Sequence, residues 1–312
     1  MDTVLVTGGR GASGRWVVDR LAGDYEVVVV DYDHPGLGVN LASNVSFRAA
    51  DLAEREQALD VVAAVDPDAV VHWAAIPVAG THPEGRVFET NALAAKHVLD
   101  AAGRAGAPVV QASSDGAYGF FFAEPTPFPD ELPVTEGHPL RPEDPYGLSK
   151  VTAEAAAGAV ARRHGVSAVS VRPSWIQYPG DYACRADEYV ADLEAGAGNF
   201  WSYVDVRDVA DLVAAALADL LGDDSAVALG THAAINCVAA DNALGRPLLE
   251  LLRESYGEVS DDCAVDGSAL AEGDDRGAYA VAKAEQLFGW TPSRSWRDAA
   301  DEAVTEPALF EG

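Results

Sequence analysis

The chain has 312 residues, with 50 Asp and Glu against 21 Lys and Arg and a formal net charge of −29. That balance excludes a binder of nucleic acid or anionic membranes, because phosphate recognition needs basic patches. An apolar content of 49% excludes a disordered acidic chain.

Only three of the basic residues are lysine (Lys96, Lys150 and Lys283), and the rest are arginine. Scarce lysine with abundant carboxylate is the composition of a protein that stays soluble in multimolar salt. The expected setting is the cytoplasm of an extreme halophile, where short-range screening makes self-repulsion tolerable. Cys184, Cys237 and Cys263 are not in metal spacing, and the seven histidines form no HxxxH or HExxH pattern. A reduced, metal-free chain is expected. The first strand starts at once, so no signal peptide is expected, and no apolar run is long enough to span a bilayer.

In chain order, Thr3 to Thr7 is apolar and β-branched and reads as a buried parallel strand. Gly8, Gly11 and Gly14 follow in Gly8-Gly9-Arg10-Gly11-Ala12-Ser13-Gly14. Glycine permits the tight turn and lets backbone N–H groups approach a pyrophosphate. A helix is expected at about Ser13 to Leu21, its N-terminus favouring negative charge. A second strand, Glu26 to Val30, ends at Asp31, whose carboxylate suits ribose hydroxyls and repels a 2′-phosphate. Arg10 lies in the loop and could pair with such a phosphate, but no Arg or Lys follows in Tyr32-Asp33-His34. NAD is the expected cofactor, with NADP not excluded. His72 is expected to pack beneath it.

Val109 to Ala112 reads as another buried strand, running into Ser113, Ser114 and Asp115 at the carboxyl edge, where open α/β sheets bind ligands. Phe120 to Pro142 reads as a long loop, either covering the site or packed on the surface. Asp144 and Pro145 form a helix start, as N-cap and first helical residue. Tyr146 and Lys150 then share a helical face. The Lys150 ammonium is expected to lower the Tyr146 pKa, leaving a general acid/base beside the cofactor. The βα alternation runs to about residue 172. Beyond it come a helix over Asp205–Leu221, a strand near Ala226–Leu229 and the Leu287–Val304 region. The expected fold is α/β, a Rossmann-type doubly wound parallel sheet. Residues 1–172 would bind the cofactor and carry the catalytic groups, and 173–312 would form a small substrate lobe interleaved with the sheet.

On these residues the chain resembles the extended short-chain dehydrogenase/reductase superfamily, within its NAD-dependent epimerase/dehydratase group. Thr7 to Gly14 looks like its TGxxGxxG loop, Asp51-Leu52 like its adenine-contact pair, and His72-Trp73-Ala74-Ala75 like its HxAA segment. Asn91 matches its helix asparagine, Ser114 its catalytic Ser/Thr four residues before Tyr118, and Arg172-Pro173 its strand end before the substrate loop. Lys283, Gly289, Trp290 and Pro292 resemble its C-terminal pattern. The resemblance implies a Ser114–Tyr146–Lys150 catalytic set, with the cofactor held by the glycine loop, Asp31, Asp51, Leu52, Ala74, Ala75, Asn91, Tyr146, Lys150 and Pro173. It also makes a homo-oligomer the default expectation.

The departures bear on substrate. Tyr178-Pro179-Gly180 is followed by only a short stretch before Tyr203, and Gly198 to Ser202 replaces the family's usual GDGxxxRDF-like run. This leaves little to clamp a nucleotide diphosphate, a shape nearer to the family's aldose and uronate dehydrogenases. Arg185 falls near a uronate-binding arginine, but Asp115 would repel a uronate. Oxidation of a neutral free aldose at C1 to a lactone is therefore expected, with Ser113, Asp115, Ser174, Trp175 and Arg185 contacting the sugar. The alternatives are a nucleotide-sugar epimerase or dehydratase with tightly bound NAD, and a non-catalytic regulatory protein that keeps the cofactor fold.

Overall fold

The computed structural model describes residues 1–34, 41–77, 82–257, 263–271 and 273–309. The first half alternates strand and helix: β1 (Thr3–Thr7), α1 (Gly14–Ala22), β2 (Glu26–Asp31), β3 (Val45–Ala49), α2 (Arg55–Val65), β4 (Ala69–His72), α3 (Glu84–Ala105), β5 (Val109–Ala112), the two-residue β6 (Glu131–Leu132), α4 (Pro145–His164) and β7 (Ala168–Pro173). Then come β8 (Trp175–Gln177), α5 (Asp187–Ala191), β9 (Tyr203–Asp205), α6 (Val206–Leu221), β10 (His232–Cys237), α7 (Leu248–Tyr256), β11 (Ala264–Val265), α8 (Ala282–Phe288) and α9 (Trp296–Ala299).

The main sheet has the order β10-β7-β5-β4-β1-β2-β3, every pair parallel. Its central strands are near-continuous runs of Val, Leu and Ala, as burial on both faces requires. The strand order reverses between β1 and β4, and a ligand crevice is expected at their carboxyl ends. One core layer packs α1 and α6 against the sheet through Trp16, Leu21, Leu212 and Leu217. The other packs α2, α3 and α4 through Val62, Leu99 and Val160.

Two expectations need correction. Ala226–Leu229 is not a strand. The chain turns there at Gly230, φ +76°, with Leu229 exposed, and the edge strand is β10, paired in parallel with β7 from His232↔Ala168 to Cys237↔Pro173. The loop from Phe120 to Pro142 also does more than cover the site. Its β6 pairs with β11, and Phe120, Leu132 and Val134 join Phe200, Trp201, Leu251 and Tyr279 in a third core. The C-terminal pattern braces this arrangement: Lys283 Nζ donates to Ala234 O at 2.9 Å and Trp290 Nε1 to Asp208 O at 3.2 Å.

Candidate active site

A cleft of about 1140 Å³ opens at the carboxyl ends of the central strands. Gly8 leaves β1 at φ +69°, and a Cβ there would lie 2.6 Å from the Ala74 backbone. A Cβ on Gly14 would lie 2.1 Å from Gly8 O, so only glycine lets α1 start under this turn. Ser13 is tied to the opposite wall, its Oγ accepting from Trp73 Nε1 at 3.1 Å. Thr7 Oγ1 accepts from the amides of Trp73 and Ala74 and lies 2.8 Å from His72 Nδ1. Burial, with Lys150 adding to it, drops the His72 pKa to about 3. The ring is therefore a neutral strut beneath the cleft. Among the described residues no His, Cys, Asp or Glu cluster could hold a metal ion.

Asp31 Oδ2 accepts from the Arg10 amide at 3.2 Å and Oδ1 from the Tyr32 amide at 2.8 Å. The Arg10 guanidinium donates to Asp33 O at 2.7 Å and so is already engaged. This leaves a carboxylate for a ribose diol and, among the described residues beside it, no free cation set for a 2′-phosphate, which fits NAD. Arg10, Gly11, Ala12, Asp51, Leu52, Ala74, Ala75 and Pro173 all line the same cleft. Asn91 lines it too, but its side chain is committed to protein: it accepts from Ile76 N–H at 2.7 Å and donates to Ile76 O and Ser149 Oγ. Asn91 thereby braces the backbone after β4 at the wall of the cleft.

The catalytic candidates meet at one end. Asp144 caps α4 by accepting from the Gly147 amide at 2.8 Å, with Pro145 in the first turn. This points Tyr146 and Lys150 toward β5. Lys150 Nζ lies 5.4 Å from the Tyr146 ring centre and donates to Ala112 O at 3.0 Å. Burial pulls its pKa down to about 8, partly offset by Glu154. Tyr146 departs from expectation. Burial pushes its pKa up to about 12, with Asp115 and Asp144 adding to the rise, and only a hydrogen bond with Ser114 opposes it. Phe122 meets its ring edge-on at 6.5 Å.

Ser114 Oγ accepts from the Gly116 amide at 3.0 Å and donates to Asp115 Oδ1 at 3.1 Å. Asp115 Oδ2 accepts from Ser174 Oγ at 2.7 Å. Burial pushes Asp115 up to about 6 against these hydrogen bonds. Ser174, Trp175, Phe121, Phe122 and Asn199 complete this end of the cleft.

One predicted sugar contact lies away from the cleft, and another is engaged by the protein. Ser113 lines the cleft, with its Oγ donating to Glu154 Oε1 at 2.5 Å. Arg185 stacks its guanidinium 3.8 Å over the Trp296 ring and donates to Ala243 O, outside the cleft.

Sequence reasoning missed two groups. Glu154, one turn beyond Lys150, forms a fully buried two-pronged pair with Arg172, at 2.8 and 2.7 Å. Its i,i+4 spacing from Lys150 was the available signal. Asn199 precedes Phe200 and Trp201, both buried in the left-handed region at φ 52° and 54°. Such backbone costs on the order of 1–3 kcal/mol per residue, and nothing in the sequence announces it.

The family model described as "NAD dependent epimerase/dehydratase family" matches residues 4–228. The chain belongs to that family. Among curated proteins, a UDP-glucose 4-epimerase of Streptococcus mutans is 34% identical over 176 residues, 54% of this chain and 50% of that protein. A putative UDP-glucose 4-epimerase of Methanocaldococcus jannaschii is 33% identical over 176 residues, 55% of each. These alignments span about half the length of the relatives matched. A crystal structure of UDP-galactose 4-epimerase aligns with a TM-score of 0.65 and 26% identity over 99% of this chain and 98% of that one. The family's description names NAD as the cofactor, in agreement with the carboxylate of Asp31 at the rim of the cleft.

Proposed function

We propose that this enzyme uses NAD to oxidise a sugar hydroxyl reversibly and acts on a nucleotide-linked sugar, in the manner of an epimerase or dehydratase. Bound NAD would supply the hydride acceptor. Tyr146 would take the hydroxyl proton and return it, Ser114 would hold the reacting oxygen, and Lys150 would keep positive charge at this end of the cleft. The wall formed by Ser114, Asp115, Ser174, Asn199, Phe122 and Trp175 combines polar groups with aromatic faces, which suits a sugar ring.

The observation that carries the nucleotide-sugar reading is the family match over the catalytic half, joined to a cleft that continues to His82, Arg86 and Thr90 at the head of α3. At about 1140 Å³ it exceeds the roughly 300–1,000 Å³ of a site for one drug-sized ligand. Arg86 offers a cation to a second phosphate group.

A second reading, net oxidation of a free aldose, is favoured by the segment after Gly180. Its arginine, Arg185, faces Trp296, and Phe200 and Trp201 fill the place of the family's usual run before the Tyr203 strand. The proposal keeps the division into a cofactor part (1–172) and a substrate lobe (173–312), together with a reduced, salt-rich cytoplasm and self-association.

The test is product analysis with NAD at high and low salt. UDP-glucose or UDP-galactose should be converted to an altered nucleotide sugar without NADH accumulating. NADH accumulating from a free aldose, with the nucleotide sugars untouched, overturns the proposal in favour of the second reading.

A further inference from the structure

Asn199 stands in the wall of the cleft with one polar atom unused. The residue is about 1% exposed, and Nδ2 donates to Ser202 O at 2.8 Å. A carbonyl only accepts, so this bond fixes which end of the amide is nitrogen. The remaining atom, Oδ1, is buried and has no hydrogen-bond partner among the described residues. Buried acceptors are almost always satisfied, and an orphan one calls for an explanation.

The chain around it is pinned in an unfavourable shape. Phe200 and Trp201 follow in consecutive left-handed conformations, both fully buried. Trp201 is held by its amide on Gly196 O at 2.8 Å and by its indole on Leu193 O at 3.0 Å. Gly196 makes room for that indole, since a Cβ there would lie 2.2 Å from it. Strain of this kind persists where the surroundings over-determine it and collects at binding sites.

Asn199 is also wired to the reacting end. Ser202 O, which its Nδ2 reaches, lies 3.2 Å from Ser174 Oγ, and Ser174 bonds Asp115 beside Ser114.

We propose that Asn199 Oδ1 accepts a hydrogen bond from a hydroxyl of the bound sugar, which makes Asn199 a specificity-determining residue held in place by the strained Phe200–Trp201 pair. This inference rests on the sugar reading above and adds to it the group that senses the ring. With Nδ2 taken by Ser202, Asn199 offers only an acceptor. It favours a hydroxyl at that ring position and disfavours a deoxy carbon or a carboxylate.

The test uses the full chain loaded with NAD and measures binding by calorimetry, with UDP-glucose, UDP-galactose and free galactose as probes. Asn199→Leu, close in shape but without an acceptor, should weaken the probe bound by wild type by about tenfold. NAD affinity should hold, with the loss appearing in KM more than in kcat. Binding by the Leu variant within a factor of about two of wild type overturns the inference and leaves the sugar reading standing. Wild type that binds none of the probes overturns both. Should the Leu variant fail to fold, a crystal structure of wild type with its probe decides. Oδ1 within hydrogen-bond distance of a sugar hydroxyl supports the inference, and an ordered water on Oδ1 that persists in the complex overturns it.

Discussion

A phenol pushed up to about 12 is a poor base at neutral pH. Lys150 stands near Tyr146, but burial dominates, and the carboxylates of Asp115 and Asp144 act in the same direction as burial. In the proposed reaction Tyr146 would need the positive charge of bound oxidised NAD, as well as Lys150, to favour its phenolate. Tyr146→Phe should lose roughly 10²–10⁴-fold in turnover while NAD affinity, read by fluorescence titration, stays near wild type. Near-normal turnover would remove Tyr146 from the reaction.

Asp115 supplies a pH test with a definite sign. Its carboxyl is pushed from 3.8 up to about 6, so the folded state binds that proton more tightly than the unfolded state does. The associated stability is present at pH below about 4 and is lost as pH rises through about 6. Asp115→Asn should raise the thermal midpoint relative to wild type at pH 8, with the advantage shrinking toward pH 4. An advantage independent of pH would show that Asp115 is not titrating in this window.

At the scale of elements, the β1–α1 turn and the end of β2 line the part of the cleft that would hold the cofactor's pyrophosphate and ribose. Asp31 sits where β2 leaves the sheet, braced by two amides that keep its carboxylate at the rim. Asp31→Ser should shift preference toward NADP in steady-state kinetics with both cofactors. A wild type that already prefers NADP would instead promote Arg10 to a phosphate ligand.

These elements were legible because their residues carry local signals: glycines at a fixed spacing, an N-cap followed by proline, runs of Val and Leu. β10 was not legible, because His232-Ala233-Ala234-Ile235-Asn236-Cys237 is mixed in polarity and sits beside a more apolar run that ends as a turn. The substrate wall was half legible. Ser174 and Trp175 follow the Arg-Pro strand end directly and do line the cleft. The partners of Ser113, Asn91 and Arg185 come from 15 to 111 residues away, and spacing along the chain says nothing about such contacts.

Across the whole molecule, three cores and a large negative charge are in tension. Several exposed arginines are paired with carboxylates, among them Arg20 with Asp24 and Arg141 with Asp130, but such surface pairs contribute only about 0–1 kcal/mol each. Fifty acidic against twenty-one basic residues leave a net repulsion. Raising salt from about 0.1 M to 1 M shortens the screening length from about 10 to about 3 Å. The thermal midpoint should rise over that range by circular dichroism. A flat or falling midpoint would mean the acidic surface does not limit stability.

The position of β10 at the sheet edge bears on how the chain folds during its synthesis. β7 is complete at Pro173, but its outer edge gains a partner only when Cys237 has emerged. At roughly 5–20 residues per second that interval lasts about 3–13 s. Throughout it, the nascent protein carries an unpaired row of N–H and C=O groups on a strand of Ala, Val and Ser, a template for any other extended segment. Crowded translation of this chain should thus expose one sticky seam, closed only when β10 pairs with β7.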